Sequence, residues 1–137
     1  MKTFTGTNAS FFIDDHNQLY ACGNNSSSQL GFSSSGTQFL PIKSVENISA
    51  IASGEYHTLM LKTDKTLWVV GDNDNGQLGT GNTENQSSAV QIAENIIAIA
   101  AGKNYSFFVK SDHSLWAMGN NVFGQLGNGN TTNQNSL

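Results

Sequence analysis

The stretch LWVVGDNDNGQLG, Leu67 to Gly79, decides the fold because the chain contains it three times. Taken alone, its two acids and three glycines suggest a loop that holds calcium or phosphate. Its other copies are LYACGNNSSSQLG from Leu19 and LWAMGNNVFGQLG from Leu115, each displaced by 48 residues. The same offset relates Gly6, Gly54 and Gly102, and carries Phe11 to Leu59 to Phe107. Repeats therefore cover the whole chain, and any account of the loop must serve every copy.

Within one unit the reading is all β. IIAIAA from Ile96, YSFFVK from Tyr105 and LWAMG from Leu115 are short apolar runs stopped by glycine or by turn residues such as SDHS. A polar segment then leads to a weak fourth strand at Ala89 to Ile92. Near-continuous apolar runs predict strands buried on both faces. Four such strands per unit fit propeller blades stacked on one another better than a two-sheet sandwich.

The pattern G-x-x-[HY]-[ST] at Gly54 and Gly102, followed by L-W-x-x-G-[DN]-N-x-x-G-Q-L-G, resembles the regulator of chromosome condensation repeat. The first copy departs most, with Ala9 in place of His57 and Tyr105 and Ser28 in place of Gly76 and Gly124. The resemblance implies a β-propeller of about three four-stranded blades, with units 6–53, 54–101 and a shorter 102–137. The chain is expected to be one repeat domain, 1–137. Known members close seven blades, which at 48 residues each need about 336 residues, against 137 here, or about 2.9 units. The ring is expected to be incomplete unless another chain or a further part of the protein completes it, because bare blade faces expose apolar surface and strand edges.

Composition narrows the partners. The chain has six lysines, no arginine and a formal net charge of −4, so the clustered cations that grip nucleic acid or an anionic membrane are missing. No apolar run has the length of a signal peptide or a membrane span. A cytoplasmic setting is favoured, with delivery into a host cell as the alternative that similar bacterial proteins imply. Cys22 is the only cysteine. It lies in a strand register where packing outweighs reactivity.

The candidate chemistries fail the three-copy test. For calcium, Asp72 and Asp74 open a loop whose glycine and Glu84 fall at the wrong positions, and the other copies carry asparagines. His16, His57 and His113 share no repeat position, and no serine sits on a strained G-x-S-x-G turn. No catalytic residue, metal or cofactor is expected. Leu30, Leu78 and Leu126 are expected to pin each loop into the groove between blades. Gly79 and Gly127 supply the turn, Trp68 and Trp116 pack in the strands, and His57, by the resemblance, is structural and bonded to backbone. What varies on this frame is Glu55, Tyr56, Lys103, Asn104 and Tyr105 after the repeated glycines. Asp72, Asn73, Asp74, Val122 and Phe123, ahead of Q-L-G, complete the candidate recognition set.

These features favour a non-enzymatic module that presents loops to a protein partner. The founding family member is an exchange factor for a Ran-type GTPase, so regulation of a small GTPase is the alternative. That activity uses a protruding β-wedge, for which the unbroken spacing leaves no room. A second alternative is a propeller piece that closes a ring by self-association.

Overall fold

Each apolar run forms a strand, and each strand ends where glycine or turn chemistry interrupts it. The computed structural model describes residues 1–137 and contains eleven strands and no helix. The first sheet is β1 (Lys2–Thr5), β2 (Ala9–Ile13), β3 (Leu19–Gly23) and β4 (Gln38–Lys43). The second is β5 (Ile48–Ser53), β6 (His57–Lys62), β7 (Leu67–Gly71) and β8 (Gln86–Ala93). The third is β9 (Ile96–Ala101), β10 (Tyr105–Lys110) and β11 (Leu115–Gly119). All three are antiparallel meanders in chain order, as blades of a propeller are. In the third, an isolated bridge between Gly119 and Gln134 stands where Gly23 pairs Gln38 and Gly71 pairs Gln86, at the start of a fourth strand.

The cores lie between the blades. One cluster joins Phe11, Leu19 and Leu30 of the first blade to Ile51, Met60 and Val70 of the second. The other joins Leu59, Val69 and Leu78 of the second to Ile96, Phe108 and Met118 of the third. Each blade thus sends one face forward and one back. Burial on both faces holds only for the middle blade, where β6 buries all but its last residue. In β2 and β10 burial alternates with partial exposure, because one face of each outer blade has no neighbour.

The fourth strand runs from Gln86 to Ala93, longer than the apolar run at Ala89 to Ile92 suggested. Its opening residues are solvent-facing, with Ser87 and Ser88 exposed at the sheet edge, so they carry no apolar signal. Trp68 and Trp116 are half-buried in β7 and β11, each packed against an inter-blade cluster. Lys62 and Lys110 lie 4.1 and 4.2 Å over the two rings, and each indole Nε1 donates to Thr66 or Ser114 at 2.9 Å.

Candidate functional site

All the residues singled out ahead of Q-L-G and after the repeated glycines lie at one end of the sheets. The backbone brings the two segments side by side in every blade. Asn24 N, Asp72 N and Asn120 N donate to the carbonyls of Asn8, Tyr56 and Asn104 at 2.8 to 2.9 Å. The preceding glycines, Gly23, Gly71 and Gly119, take φ near +110° and sit against those same carbonyl residues.

One asparagine builds each loop from inside. Asn73 is fully buried, and its Oδ1 accepts from Leu78 N at 2.9 Å. Its Nδ2 donates to Asn82 O at 3.0 Å, Glu84 O at 3.1 Å and Thr80 Oγ1 at 3.1 Å. Asn121 repeats this with Leu126 N, Asn130 O and Thr132 O, and Asn25 with Leu30 N and the carbonyls of Phe32 and Ser34. Asn73 therefore has no surface to offer a partner and belongs to the frame. Gln77 adds a second brace: its Oε1 accepts from Asn75 N at 2.9 Å and its Nε2 donates to Asp72 Oδ2 at 2.5 Å. Burial, and then the neighbouring charge of Asp74, raise the Asp72 carboxyl above its usual range. Leu30 and Leu78 are fully buried in the two inter-blade clusters, and Leu126 is 7% exposed.

The joint between blades carries a buried polar contact. Thr58 Oγ1 donates to Gln29 O of the preceding blade at 2.8 Å, and Ser106 Oγ donates to Gln77 O at 2.8 Å. His57 Nε2 lies 2.8 Å from the same Ser106 hydroxyl. The hydroxyl proton goes to Gln77, so the imidazole donates to Ser106, and its Nδ1 is left buried without a partner. The expected backbone partner of His57 is thus a side chain of the next blade.

Burial pushes His57 down to about 4 from an ordinary 6.5. The folded chain therefore favours the neutral ring. The associated stability is complete above pH 6.5 and is lost as pH falls from 6.5 towards 4, amounting to about 3 kcal/mol at the acid end. Denaturant melts of the parent and of His57→Gln across that range should converge as pH falls. Parallel stability curves from pH 7 to pH 4 would rule out His57 as the acid-sensitive group.

The remaining candidates divide by exposure. Asp74 and Val122 occupy the same loop position and face solvent in both blades. Lys103 is exposed and pairs with Glu55 across the joint at 3.3 Å, while Tyr56, Asn104 and Tyr105 are half-buried. In the third blade Lys103, Asn104, Tyr105, Val122 and Phe123 line one open cavity of about 290 Å³. The structure thus unites there both groups of variable residues. Phe123 has a second relation. Its counterpart Asn75 accepts from Asn120 Nδ2 of the next blade at 3.0 Å, so Phe123, 91% exposed, stands where a following blade would pack.

No three His, Cys, Asp or Glu side chains lie together, and the histidines stay apart, with His57 in the joint and His16 and His113 in the turns at the opposite end. Cys22 is half-buried on the first blade's backward face, where Val70 and Met118 are fully buried in the other blades. No helix is long and apolar enough to cross a membrane.

The Regulator of chromosome condensation (RCC1) repeat matches the chain over residues 16–61 and 64–109, and a second description of that repeat matches 48–77 and 96–125. No curated protein matches. Among solved structures, the chain is similar to yeast RCC1 (Prp20) in its complex with Kap60, with a TM-score of 0.88 and 20% identity over 98% of this chain and 35% of that one. A second structure, of Prp20p from Saccharomyces cerevisiae, described with its binding properties to Gsp1p and histones, gives 0.84 and 21% over 98% and 36%. Human WBSCR16 gives 0.82 and 20% over 99% and 40%. At such identities the likeness is one of fold, and the chain spans between about a third and two fifths of these proteins.

Proposed function

Because the chain belongs to the Regulator of chromosome condensation repeat family, we propose that it is a non-enzymatic protein-interaction or assembly module, reading its partner through the loops at one end of the blades. The observation that carries this reading is the division of each loop into a buried constant frame and an outward variable tip. Asn73 and Leu78 do the same work in every copy, and the glutamine Oε1 accepts from the loop backbone in each, while the position of Asp74 and Val122 faces solvent and changes its chemistry. Glu55, Tyr56, Lys103 and Asn104 belong to the same rim, and Lys103 with Val122 forms the part best suited to a protein surface carrying an apolar side chain beside an acid.

A photo-crosslinker at position 122 should capture a partner that one at Asp112, in a turn at the opposite end, does not. Lys103→Glu and Val122→Asp should each weaken that capture about tenfold while leaving the thermal melt unchanged, as loss of an anchoring contact does. Equal capture from both ends would overturn the assignment of the binding face.

Regulation of a small GTPase is supported by the likeness to Prp20, whose described binding includes Gsp1p. Against it, all eleven strands belong to the three blades, so none remains to form a protruding wedge. Nucleotide release from a loaded Ran-type GTPase decides between the readings. Acceleration by sub-stoichiometric amounts of the chain would replace the interaction module with an exchange factor; release at the uncatalysed rate is the expected result.

A further inference from the structure

The two joints inside the chain share one contact and differ at one position beside it. Thr58 Oγ1 donates to Gln29 O across the first, and Ser106 Oγ donates to Gln77 O across the second. Only the second adds an imidazole, because the first has Ala9 at the position of His57. His57 and Ser106 are both fully buried, and the ring is held by Nε2 at 2.8 Å from the hydroxyl.

The other ring nitrogen has nowhere to put a proton. A methyl on Gly54 would lie 2.5 Å from His57 Nδ1 and 2.6 Å from Gly102 O, so the ring sits directly against the Gly54 backbone. A proton added to Nδ1 there has no acceptor and turns the ring into a buried cation. β5, β7 and β9 carry no charged residue, and Lys62 and Lys110 lie over Trp68 and Trp116 at the far ends of β6 and β10. On the segments beside the ring, Lys103 engages Glu55 at 3.3 Å, Gln77 engages Asp72, and Asp74 faces solvent. The Tyr56 and Tyr105 phenols stay neutral in acid. None of these groups offsets the charge, since burial alone sets the ring's affinity for a proton. The charged ring leaves for water, and its bond to Ser106 goes with it.

Gln77 carries this to the loop. Its carbonyl takes the Ser106 bond, while its side chain holds Asn75 N and Asp72. Across the same joint Asn75 Oδ1 accepts from Asn120 Nδ2 and Asn133 Nδ2, and Gly81 N donates to Asn135 O at 2.7 Å. We propose that the joint between the second and third blades is a clasp that acid opens, with His57 as its trigger and loop 72–81 as the segment it frees, while the joint between the first two blades stays shut. This goes beyond the interaction reading, because the clasp belongs to the chain with or without a partner.

The size of the effect follows from the ring. At about 4 in the closed joint and 6.5 in water, it raises the open population about twentyfold between pH 7 and pH 5. Asp72 titrates in the opposite sense: burial and Asp74 raise its carboxyl, so its protonation favours the closed loop. Asp72→Asn removes that opposing group and keeps an acceptor for Gln77, as Asn120 does for Gln125 in the third blade.

Hydrogen exchange read by mass spectrometry tests the clasp. After correction for intrinsic exchange, the amides of Leu78 and Gly79 should lose protection about twentyfold from pH 7 to pH 5, while those of Leu30 and Gly31 at the first joint keep theirs. Asp72→Asn should leave that loss at least as large, and His57→Gln should abolish it. The comparison of the two loops needs no variant, so it stands even where His57→Gln does not fold. A loss at Leu30 and Gly31 as large as at Leu78 and Gly79, or no loss at either, overturns the proposal. So does a loss that persists in His57→Gln or disappears in Asp72→Asn.

Discussion

Gly71→Ala is expected to unfold at least the middle blade. At φ +110° a side chain is already disfavoured by about 1–2 kcal/mol. The larger cost is steric. A methyl on Gly71 would overlap Tyr56 O and come within 2.9 Å of His57 Cα, and both are backbone atoms held in place. Tyr56 O is fixed by the bond from Asp72 N at 2.9 Å, and His57 by its buried ring in the joint. Relief would require β6 and β7 to separate at the end that anchors the loop, for a total of about 5 kcal/mol, most of the stability of an ordinary domain. Gly81→Ala is the control. It also replaces a glycine at positive φ, +88°, but nothing lies within 4 Å of the added methyl. Its cost should be about 1 kcal/mol, the conformational part alone. Denaturant melts of the two variants separate the contributions, and equal losses would show that the Tyr56 contact carries no weight.

Asn73→Ala should cost about 4 kcal/mol, although the residue lies in a loop of polar composition. The substitution strands Leu78 N inside the core and removes the bonds to the carbonyls of Asn82 and Glu84, of which Glu84 O keeps a bond from Gln86 Nε2. The buried orphan at Leu78 costs about 1–3 kcal/mol, and each of the other lost bonds about 0.5–1.5 kcal/mol. Asn73→Asp keeps the acceptor for Leu78 but replaces the donor with a charge facing two carbonyls, so it should be no milder. Asp74→Ala, at the next position, should change stability by less than about 0.5 kcal/mol, as surface substitutions do. If Asn73→Ala and Asp74→Ala melt alike, the buried frame is not what holds the loop.

The contrast between these neighbours marks where the sequence was legible. The repeat, the strands of β9 to β11 and the role of Leu78 follow from spacing and apolar pattern, which act locally. Asn73 reads as one of the variable residues because it lies between Asp72 and Asp74, yet Asn25 and Asn121 at the same register carry the same amide and the same duty. The partner of His57 was hidden because Ser106 comes from the following blade, a distance that only the stacking of sheets closes. Phe123 reads as a recognition residue because its repeat position varies, and it lines the open cavity with Lys103 and Val122, while its counterpart Asn75 accepts from Asn120 of the next blade. The weak signal of β8 has the same origin, since an outer strand with Ser87 and Ser88 in solvent has little reason to be apolar.

The hydroxyl-to-carbonyl contact has an evolutionary consequence. Thr58 meets Gln29 O and Ser106 meets Gln77 O by one geometry, so removal of residues 54–101 would set Ser106 against Gln29 with the same bond. Duplication or loss of one whole unit preserves this hydroxyl-to-carbonyl contact, whereas an insertion of one residue in a strand turns its core face to solvent. A change of blade number in steps of about 48 residues therefore leaves this contact intact. Point substitution is left to work on the tips occupied by Asp74 and Val122.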